Sequence, residues 1–146
     1  MKNEQINYVL DTDTISEHQR GNSAVIFAMG QINSREVTTT IVTMYEQLKG
    51  RMAVVHKATA KPEELPIAYH WLNETISYFS RLPVLGFDDS AAQEYSRLVQ
   101  MRLRGPSKPD LQIAAIALSQ GARVVTRNIQ DYENIEGLDV IDWTSS

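Results

Sequence analysis

Apolar and polar positions alternate in short blocks along this chain, and the blocks predict strands and helices in turn. Apolar or β-branched runs typical of strands occur at 7–12, 36–39, 83–87, 122–126 and 139–143. Between these runs, apolar residues recur at the spacing of one helix face. We therefore predict parallel βαβ crossovers in an α/β fold, a three-layer α/β/α sandwich around a five-stranded, mainly parallel sheet.

The helical segments follow from the apolar spacing and from capping residues. They are predicted at about 15–20, 23–32, from 40 or 43 through 48, 67–79, 90–103 and 110–120. Asp13 or Thr14 is the expected cap of the first helix. Segment 67–79 is expected to be an amphipathic helix whose apolar face carries Ala68, Trp71, Leu72, Thr75, Ile76 and Phe79. Segment 90–103 is expected to turn inward Ala92, Tyr95, Leu98 and Val99. Segment 110–120 is apolar almost all round, which predicts burial, and Gly121 is expected to end it.

Composition is that of an ordinary globular chain of 146 residues, for which we expect one domain spanning 1–146. The sequence contains no cysteine, which excludes disulfides and thiolate metal sites. No stretch approaches the roughly 20 apolar residues of a membrane span or the core of a signal peptide, so we expect a cytoplasmic protein. The formal net charge of -4 disfavours binding of nucleic acid by bulk electrostatics, but it is compatible with an acidic cluster filled by cations.

Several acidic residues fall where a parallel sheet would bring them to one edge. Asp11 and Asp13 follow the first predicted strand in the stretch VLDTDTIS, while Asn128 and Asp131 follow the fourth. Ligands of open α/β sheets bind outside the carboxyl ends of the strands, so these side chains are expected at that edge. Asp110 begins the buried helical segment, where it either caps the helix or overhangs the same edge through the preceding loop.

The paired acids by themselves fit more than one kind of site. They could hold a metal for phosphodiester cleavage, or act as nucleophile and acid in a haloacid-dehalogenase-type phosphatase. The opening motif of such a phosphatase, D-x-D-x-[TV], is broken here at Ile15. A receiver domain needs a late lysine, which the last two predicted strands lack. A non-catalytic binding module, with the acids as a structural cluster, is a further alternative.

Ordered motifs resemble the PIN-domain family, and within it the VapC toxins of bacterial toxin-antitoxin pairs. LDTDTIS and TTTIVTMYEQLKG come first, and the rest of the match lies in about the last 37 residues. It reads D-x-x-IAA-x-A, then an apolar strand, T-x-N-x-x-D-[FY] and GL-x-V-x-DW. The resemblance implies a PIN-like parallel sheet and an acidic site that holds Mg²⁺ or Mn²⁺ and cleaves RNA. It also implies a homodimer and a small VapB-like antitoxin that blocks the acidic groove.

Carried over motif by motif, the resemblance implies a catalytic role for Asp11, Glu46, Asp110 and Asp131. Asp11, Asp110 and Asp131 are the expected metal ligands, direct or through water, since Mg²⁺ prefers oxygen ligands and retains several waters. Glu46 is expected to bind the ion or to orient the attacking water. Side chains expected to hold these acids in place are Thr126, Asn128 and Asp13. Possible RNA contacts are Arg102, Arg104, Lys108 and Arg127, with Lys49 and Arg51 just past Glu46.

Asp13 stands where the commoner residue of the resembled family is Asn. The additional carboxylate either adds negative charge to the acidic site or caps the helix that follows the first strand. The residues alone favour the cap slightly, because an acidic residue at a helix start is more often a cap than a metal ligand.

Overall fold

Five short strands form one parallel sheet in the computed structural model, which describes residues 7–144; residues 1–6 and 145–146 of the predicted domain lie outside the described part. The strands are β1 (Tyr8–Leu10), β2 (Val37–Thr40), β3 (Val84–Leu85), β4 (Arg123–Val125) and β5 (Val140–Ile141). The helices are α1 (Thr12–Gln19), α2 (Ser23–Gly30), α3 (Ile41–Ala58), α4 (Leu65–Phe79), α5 (Asp89–Gln100), α6 (Lys108–Gln120) and α7 (Ile129–Tyr132). Short 3₁₀ turns occupy Ser34–Glu36 and Pro62–Glu64.

The strand order β3-β2-β1-β4-β5 places β1 at the centre, paired in parallel with β2 and β4. Tyr8 lies beside Val37 on one side and Arg123 on the other. From β1 the chain first adds β2 and β3 on one side of the sheet and later adds β4 and β5 on the other side. The direction of strand addition therefore reverses between β1 and β4, which makes this the topological switch point. A crevice opens at the carboxyl ends of strands at such a point, and the residues after β1 and β4 line it.

Two hydrophobic cores cover the two faces of the sheet. On one face, Val9 and Val124 pack with buried residues of α5 and α6. On the other face, Leu10 and Val125 pack with residues of α1, α2 and α4 and with Trp143. Alternate residues of a strand point to opposite faces, so each short apolar run contributes to both cores. The predicted three-layer α/β sandwich with a five-stranded parallel sheet is confirmed.

Helix α6 is the most deeply buried helix in the described part of the chain, as its sequence predicts. Its fully buried side chains are Ile113, Ala114, Ala115, Ile116 and Ala117. Gly121 ends the helix with φ of +64°, in the left-handed region where glycine has no Cβ penalty. Because α6 is anchored on both sides, its first residues have a fixed position relative to the sheet.

The predicted inward face of α4 is confirmed in part. Ala68, Thr75 and Phe79 are buried as predicted, but Trp71 is 46% exposed and Ile76 is 48% exposed. The apolar stripe of α4 is broader than the face of the helix that packs against the rest of the protein, so the apolar side chains at its edge remain exposed. The exposure of Trp71 leaves its ring available for contacts on the surface.

The predicted inward face of α5 is also confirmed only in part. Leu98 is buried and Tyr95 packs half-buried against the core, as predicted, whereas Ala92 and Val99 are exposed and Ala91 is buried instead. Successive residues of a helix differ by about 100° in direction, so a shift of one position turns a side chain away from the core.

Within residues 7–144, none of the helices has both the length and the apolar character needed to cross a membrane.

Candidate active site

Asp11 lies at the junction of β1 and α1, and the backbone there fixes its side chain. Its N–H donates to the carbonyl oxygen of Val125 at 3.0 Å, which ties it to the end of β4. Its Oδ1 accepts a hydrogen bond from the backbone N–H of Thr14 at 2.9 Å, so Asp11 is the cap of α1. The predicted cap, Asp13 or Thr14, is therefore wrong: both residues already lie within the first turn.

The environment of Asp11 favours the protonated carboxyl. The residue is only 3% exposed, and burial raises its pKa from 3.8 to about 6, with repulsion from Asp13 as a smaller contribution. Hydrogen bonds with Thr126 and Thr14 lower the pKa and offset part of this shift. A cation beside Asp11 would favour the ionised form, because it would supply the counter-charge that burial removes.

A pocket of about 180 Å³ brings several of the predicted acids together at the carboxyl end of β1. It is lined by Asp11, Thr12, Asp13, Glu46, Ser107, Pro109 and Asp110. These residues come from the start of α1, from α3 and from the start of α6, three segments that are distant in sequence. We call this the acidic pocket, because four of its seven lining residues carry carboxylates.

Asp110 both caps α6 and faces the acidic pocket. Its Oδ2 accepts from the backbone N–H of Ser107 at 3.0 Å, and its own N–H donates to the Ser107 hydroxyl at 3.2 Å, which completes a capping box. Its Oδ1 accepts from the Tyr132 hydroxyl at 3.1 Å. The two alternatives predicted for Asp110 thus occur together, because the first turn of α6 overhangs the carboxyl edge.

Tyr132 is a residue of this site to which sequence reasoning gave no role. Its ring is buried, and its hydroxyl donates to Asp110. Burial raises the pKa of Tyr132 well above its ordinary value of 10.0, and the nearby carboxylates of Asp11, Asp110 and Asp131 raise it further. The hydroxyl therefore stays protonated and keeps the proton that it donates to Asp110. The motif T-x-N-x-x-D-[FY] contained the signal, since tyrosine at its last position supplies a hydroxyl that phenylalanine lacks.

Glu46 is held at the pocket by Thr12, which sequence reasoning also missed. The Thr12 hydroxyl donates to Oε1 of Glu46 at 3.0 Å and lies 3.1 Å from the Thr43 hydroxyl. These contacts join the start of α1 to α3. The position of Thr12 between two acids at the end of a strand was the available signal.

Asp131 lies near the acidic pocket without lining it. It belongs to the short helix α7, and its Oδ1 lies 3.5 Å from the point where a side chain on Gly105 would begin. Asn128 donates from Nδ2 to Oδ2 of Asp13 at 2.6 Å, and Thr126 accepts from the Asn128 N–H at 3.0 Å. Thr126 also hydrogen-bonds to Asp11, whereas Asn128 contacts Asp13 and none of the four predicted catalytic acids, so the holding roles stay a prediction.

The acidic pocket supplies carboxylate oxygens, which are the donors that the predicted Mg²⁺ or Mn²⁺ ion needs. Among residues 7–144, no group of three or more His, Asp or Glu side chains is arranged so that it could hold a metal ion. Mg²⁺ commonly keeps several waters and binds only one or two carboxylates directly. The carboxylate oxygens of Asp11 and Asp110, which line one pocket, fit that mode of binding. The assignment of Asp11, Asp110 and Asp131 as ligands stays a prediction.

The basic residues predicted to contact RNA before Asp110 and after β4 are all exposed, but they differ in whether they form an ion pair. Arg102, Arg104 and Lys108 are exposed in and beside the loop that precedes Asp110. Arg127, in contrast, forms an ion pair with Glu17, with Nη1 and Oε1 2.9 Å apart. An exposed arginine already paired with a carboxylate is less available to a phosphate.

The family model described as PIN domain matches residues 8–137. This chain belongs to the PIN-domain family. Over 141 residues the chain is 27% identical to the tRNA(fMet)-specific endonuclease VapC of Salmonella typhimurium, an alignment that covers 94% of this chain and 98% of that protein. The predicted resemblance to the PIN-domain family and its VapC toxins is confirmed.

Solved structures of PIN-domain toxin-antitoxin complexes share this fold. The DNA-bound VapBC complex of Salmonella typhimurium matches with a TM-score of 0.73 and 25% identity, covering 94% of this chain and 98% of that chain. The VapBC-1 complex of nontypeable Haemophilus influenzae matches with a TM-score of 0.74 and 20% identity, covering 96% and 100%. The second likeness shows the fold alone.

Proposed function

We propose that this PIN-domain chain is a Mg²⁺- or Mn²⁺-dependent endoribonuclease that acts as the toxin of a toxin-antitoxin pair. The observation that carries the proposal is the convergence of Asp11, Glu46 and Asp110 in one pocket at the carboxyl end of β1. The similarity to an endonuclease whose name specifies a transfer RNA supports RNA as the substrate.

Asp11 and Asp110 would hold the ion, and Asp131 would hold one of its waters. A bound divalent ion lowers the pKa of a water and neutralises charge that develops on the phosphodiester during cleavage. The protein's own part is to fix the carboxylates: the Thr14 N–H holds Asp11, while Ser107 and Tyr132 hold the two oxygens of Asp110. Such supporting contacts orient metal-binding carboxylates.

Glu46 is the group that we assign to orient the attacking water. It lines the same pocket as Asp11 and Asp110, and the Thr12 hydroxyl occupies its Oε1. The other oxygen of the same carboxylate, Oε2, can then accept a hydrogen bond from a water in the pocket. No covalent enzyme intermediate is required, because the water attacks the phosphorus directly.

We also propose a small VapB-like antitoxin as partner and a homodimer of the toxin. The similar structures include toxin-antitoxin complexes, which supports a protein partner. An antitoxin segment that places an arginine in the acidic pocket would supply the counter-charge that Asp11 lacks, and it would exclude both the ion and RNA. Charge pairing of this kind favours a specific partner.

RNA cleavage with and without the ion tests this proposal. Purified protein should cleave cellular RNA in Mg²⁺ or Mn²⁺, and excess chelator should reduce cleavage to background. Asp11→Asn should lower the rate at least about 100-fold and relieve growth arrest, because it removes a charged ligand while asparagine still caps α1. Asp89→Asn, an exposed acid in the first turn of α5, is the matched control and should behave as the unmodified protein does.

Three results would contradict the nuclease. Unchanged toxicity of Asp11→Asn would refute the assignment of the site, and cleavage that persists in chelator would refute the role of the metal. RNA binding with no cleavage under any of these conditions would favour the non-catalytic binding module. Turnover of p-nitrophenyl phosphate would revive the phosphatase, which the membership of the PIN-domain family disfavours.

A further inference from the structure

A groove of about 530 Å³ lies between α1, α3 and α4 and meets the acidic pocket at Glu46, which lines both. We call it the arginine groove, because Arg20, Arg51 and Arg81 contribute to its wall. Its volume is in the range of pockets that bind small ligands or part of a larger one. The groove therefore extends the proposed active site along the helical surface.

Arg51 is held in place within this groove. Its Nε donates to the hydroxyl of the buried Thr75 at 3.1 Å, and its guanidinium lies 5.5 Å from the centroid of the Trp71 ring. The Thr75 hydroxyl in turn donates to the backbone carbonyl oxygen of Trp71 at 2.8 Å. Arg51 thus spans α3 and α4 in one orientation, and it keeps its terminal amines for a ligand.

Arg51 and Arg81 also lack acidic partners: among the described residues, neither has a carboxylate oxygen within 4.0 Å. Arg20 differs, since its Nη1 lies 2.7 Å from Oε1 of Glu17. Glu46 and Glu74 also line the groove, but neither forms an ion pair with Arg51 or Arg81, so both guanidinium groups remain able to bind phosphate oxygens through paired hydrogen bonds.

We propose that the arginine groove binds the single-stranded RNA segment next to the cleaved bond. Phosphates of this segment pair with Arg51 and Arg81, and one base stacks on the exposed part of Trp71. The inference rests on the proposed nuclease function. The acidic pocket repels phosphates, so an RNA substrate needs attraction from an adjoining surface, and the groove supplies it within reach of Glu46.

RNA fits this groove better than an apolar protein helix does. A helix that covered the groove with aliphatic side chains would bury Arg51 and Arg81 without partners, which is unfavourable for a charged group. A nucleotide instead provides anionic oxygens for the arginines and an aromatic base for Trp71. The exposed part of the Trp71 ring then serves as the stacking surface for that base.

RNA binding measured in chelator tests the inference, since cleavage is then absent. The probes are short 5′-fluorescein oligouridine and oligoadenine, and the readout is fluorescence anisotropy over a range of salt concentrations. The test protein carries Arg51→Gln and Arg81→Gln. The control carries Arg35→Gln and Arg97→Gln, which remove the same charge from exposed positions outside the groove.

We expect the groove variant to bind RNA at least about tenfold more weakly, because hydrogen bonds to charged groups are lost. The slope of log affinity against log salt should decrease by roughly 0.7 for each phosphate contact removed. Trp71→Ala should weaken binding about tenfold without changing that slope, since stacking releases no counterion. Arg81→Gln alone, at an exposed position, gives the same test if loss of the Arg51–Thr75 contact affects folding.

Equal RNA affinity and equal salt slope in the groove variant and the control would overturn the inference. It is also wrong if groove variants keep RNA binding but escape neutralisation by the antitoxin, because the groove would then be a protein-docking surface. Loss of RNA binding in the groove variants of a protein that never cleaves RNA would refute the proposed nuclease and support the groove.

Discussion

The acidic pocket and the arginine groove meet at Glu46 but are built in different ways. In the pocket, backbone N–H groups at the starts of helices hold Asp11 and Asp110. In the groove, side chains of the neighbouring helix hold Arg51. Capping contacts need only a few adjacent residues, whereas contacts between helix faces need the two helices to be packed correctly. The carboxylates of Asp11 and Asp110 are therefore fixed locally, and the guanidinium of Arg51 is fixed by tertiary packing.

The two regions also differ in how solvent reaches them. Asp11 is buried among other carboxylates, while Arg81 is exposed. Salt screens exposed charges more strongly than buried ones. Properties of the acidic pocket should therefore respond mainly to pH and to divalent ions, and properties of the groove mainly to salt. Three variants test this contrast.

Asp11→Asn should give the largest change, a gain in the free energy of unfolding at neutral pH. The pKa of Asp11 in the folded protein, about 6, is above the ordinary value of 3.8, so the folded state binds the proton more tightly. Stability of the unmodified protein then decreases as pH rises from 3.8 to about 6, and the loss approaches about 3 kcal/mol above that range. Asparagine carries no charge, so the variant avoids this loss.

Chemical denaturation in chelator, once near pH 3.8 and once well above 6, measures the difference. The free energy of unfolding of Asp11→Asn should exceed that of the unmodified protein only at the higher pH. The free energy of unfolding of Arg81→Gln should equal that of the unmodified protein at both pH values. If Asp11→Asn is less stable than the unmodified protein at neutral pH, then burying the ionised carboxylate of Asp11 does not destabilise the folded state. The contrast between buried pocket and exposed groove would then fail.

Tyr132→Phe should weaken Mn²⁺ binding about tenfold, because the hydroxyl that holds Oδ1 of Asp110 is lost while the ring still fills its place. Isothermal titration with Mn²⁺ and no RNA gives the affinity directly. RNA binding in chelator should stay unchanged, since the groove does not contain Tyr132. Unaltered Mn²⁺ affinity would mean that Ser107 alone positions Asp110.

Thr12→Val should have the smallest effect, about 1 kcal/mol of unfolding free energy, because one hydroxyl loses its contacts with Glu46 and Thr43. Thr59→Val, at an exposed position beyond α3, serves as control and should change stability by less than about 0.5 kcal/mol. Urea denaturation measures both. Since Glu46 belongs to both regions, a Thr12→Val variant as stable as the control would indicate that Glu46 is held without Thr12.

Sequence patterns predicted most of the fold because the patterns act locally. Short β-branched runs made the strands, and the apolar helix α6 ended at Gly121 as expected. The patterns failed at the edges of helix faces. Trp71 lies on an apolar stripe that is broader than the buried face of α4, and Val99 lies one position past the buried Leu98 of α5. Neither outcome can be obtained from spacing, because it depends on which neighbouring helix arrives and at what angle.

The amino-acid sequence by itself determined the acids and their order along the chain, because capping and strand-end positions carry recognisable residue types. Only the tertiary structure decided that Asp110 overhangs the same edge as Asp11, and that Tyr132 lies beneath them. The physical reason is distance along the chain: contacts between residues about 100 positions apart are set by how layers pack, and no local pattern contains that information.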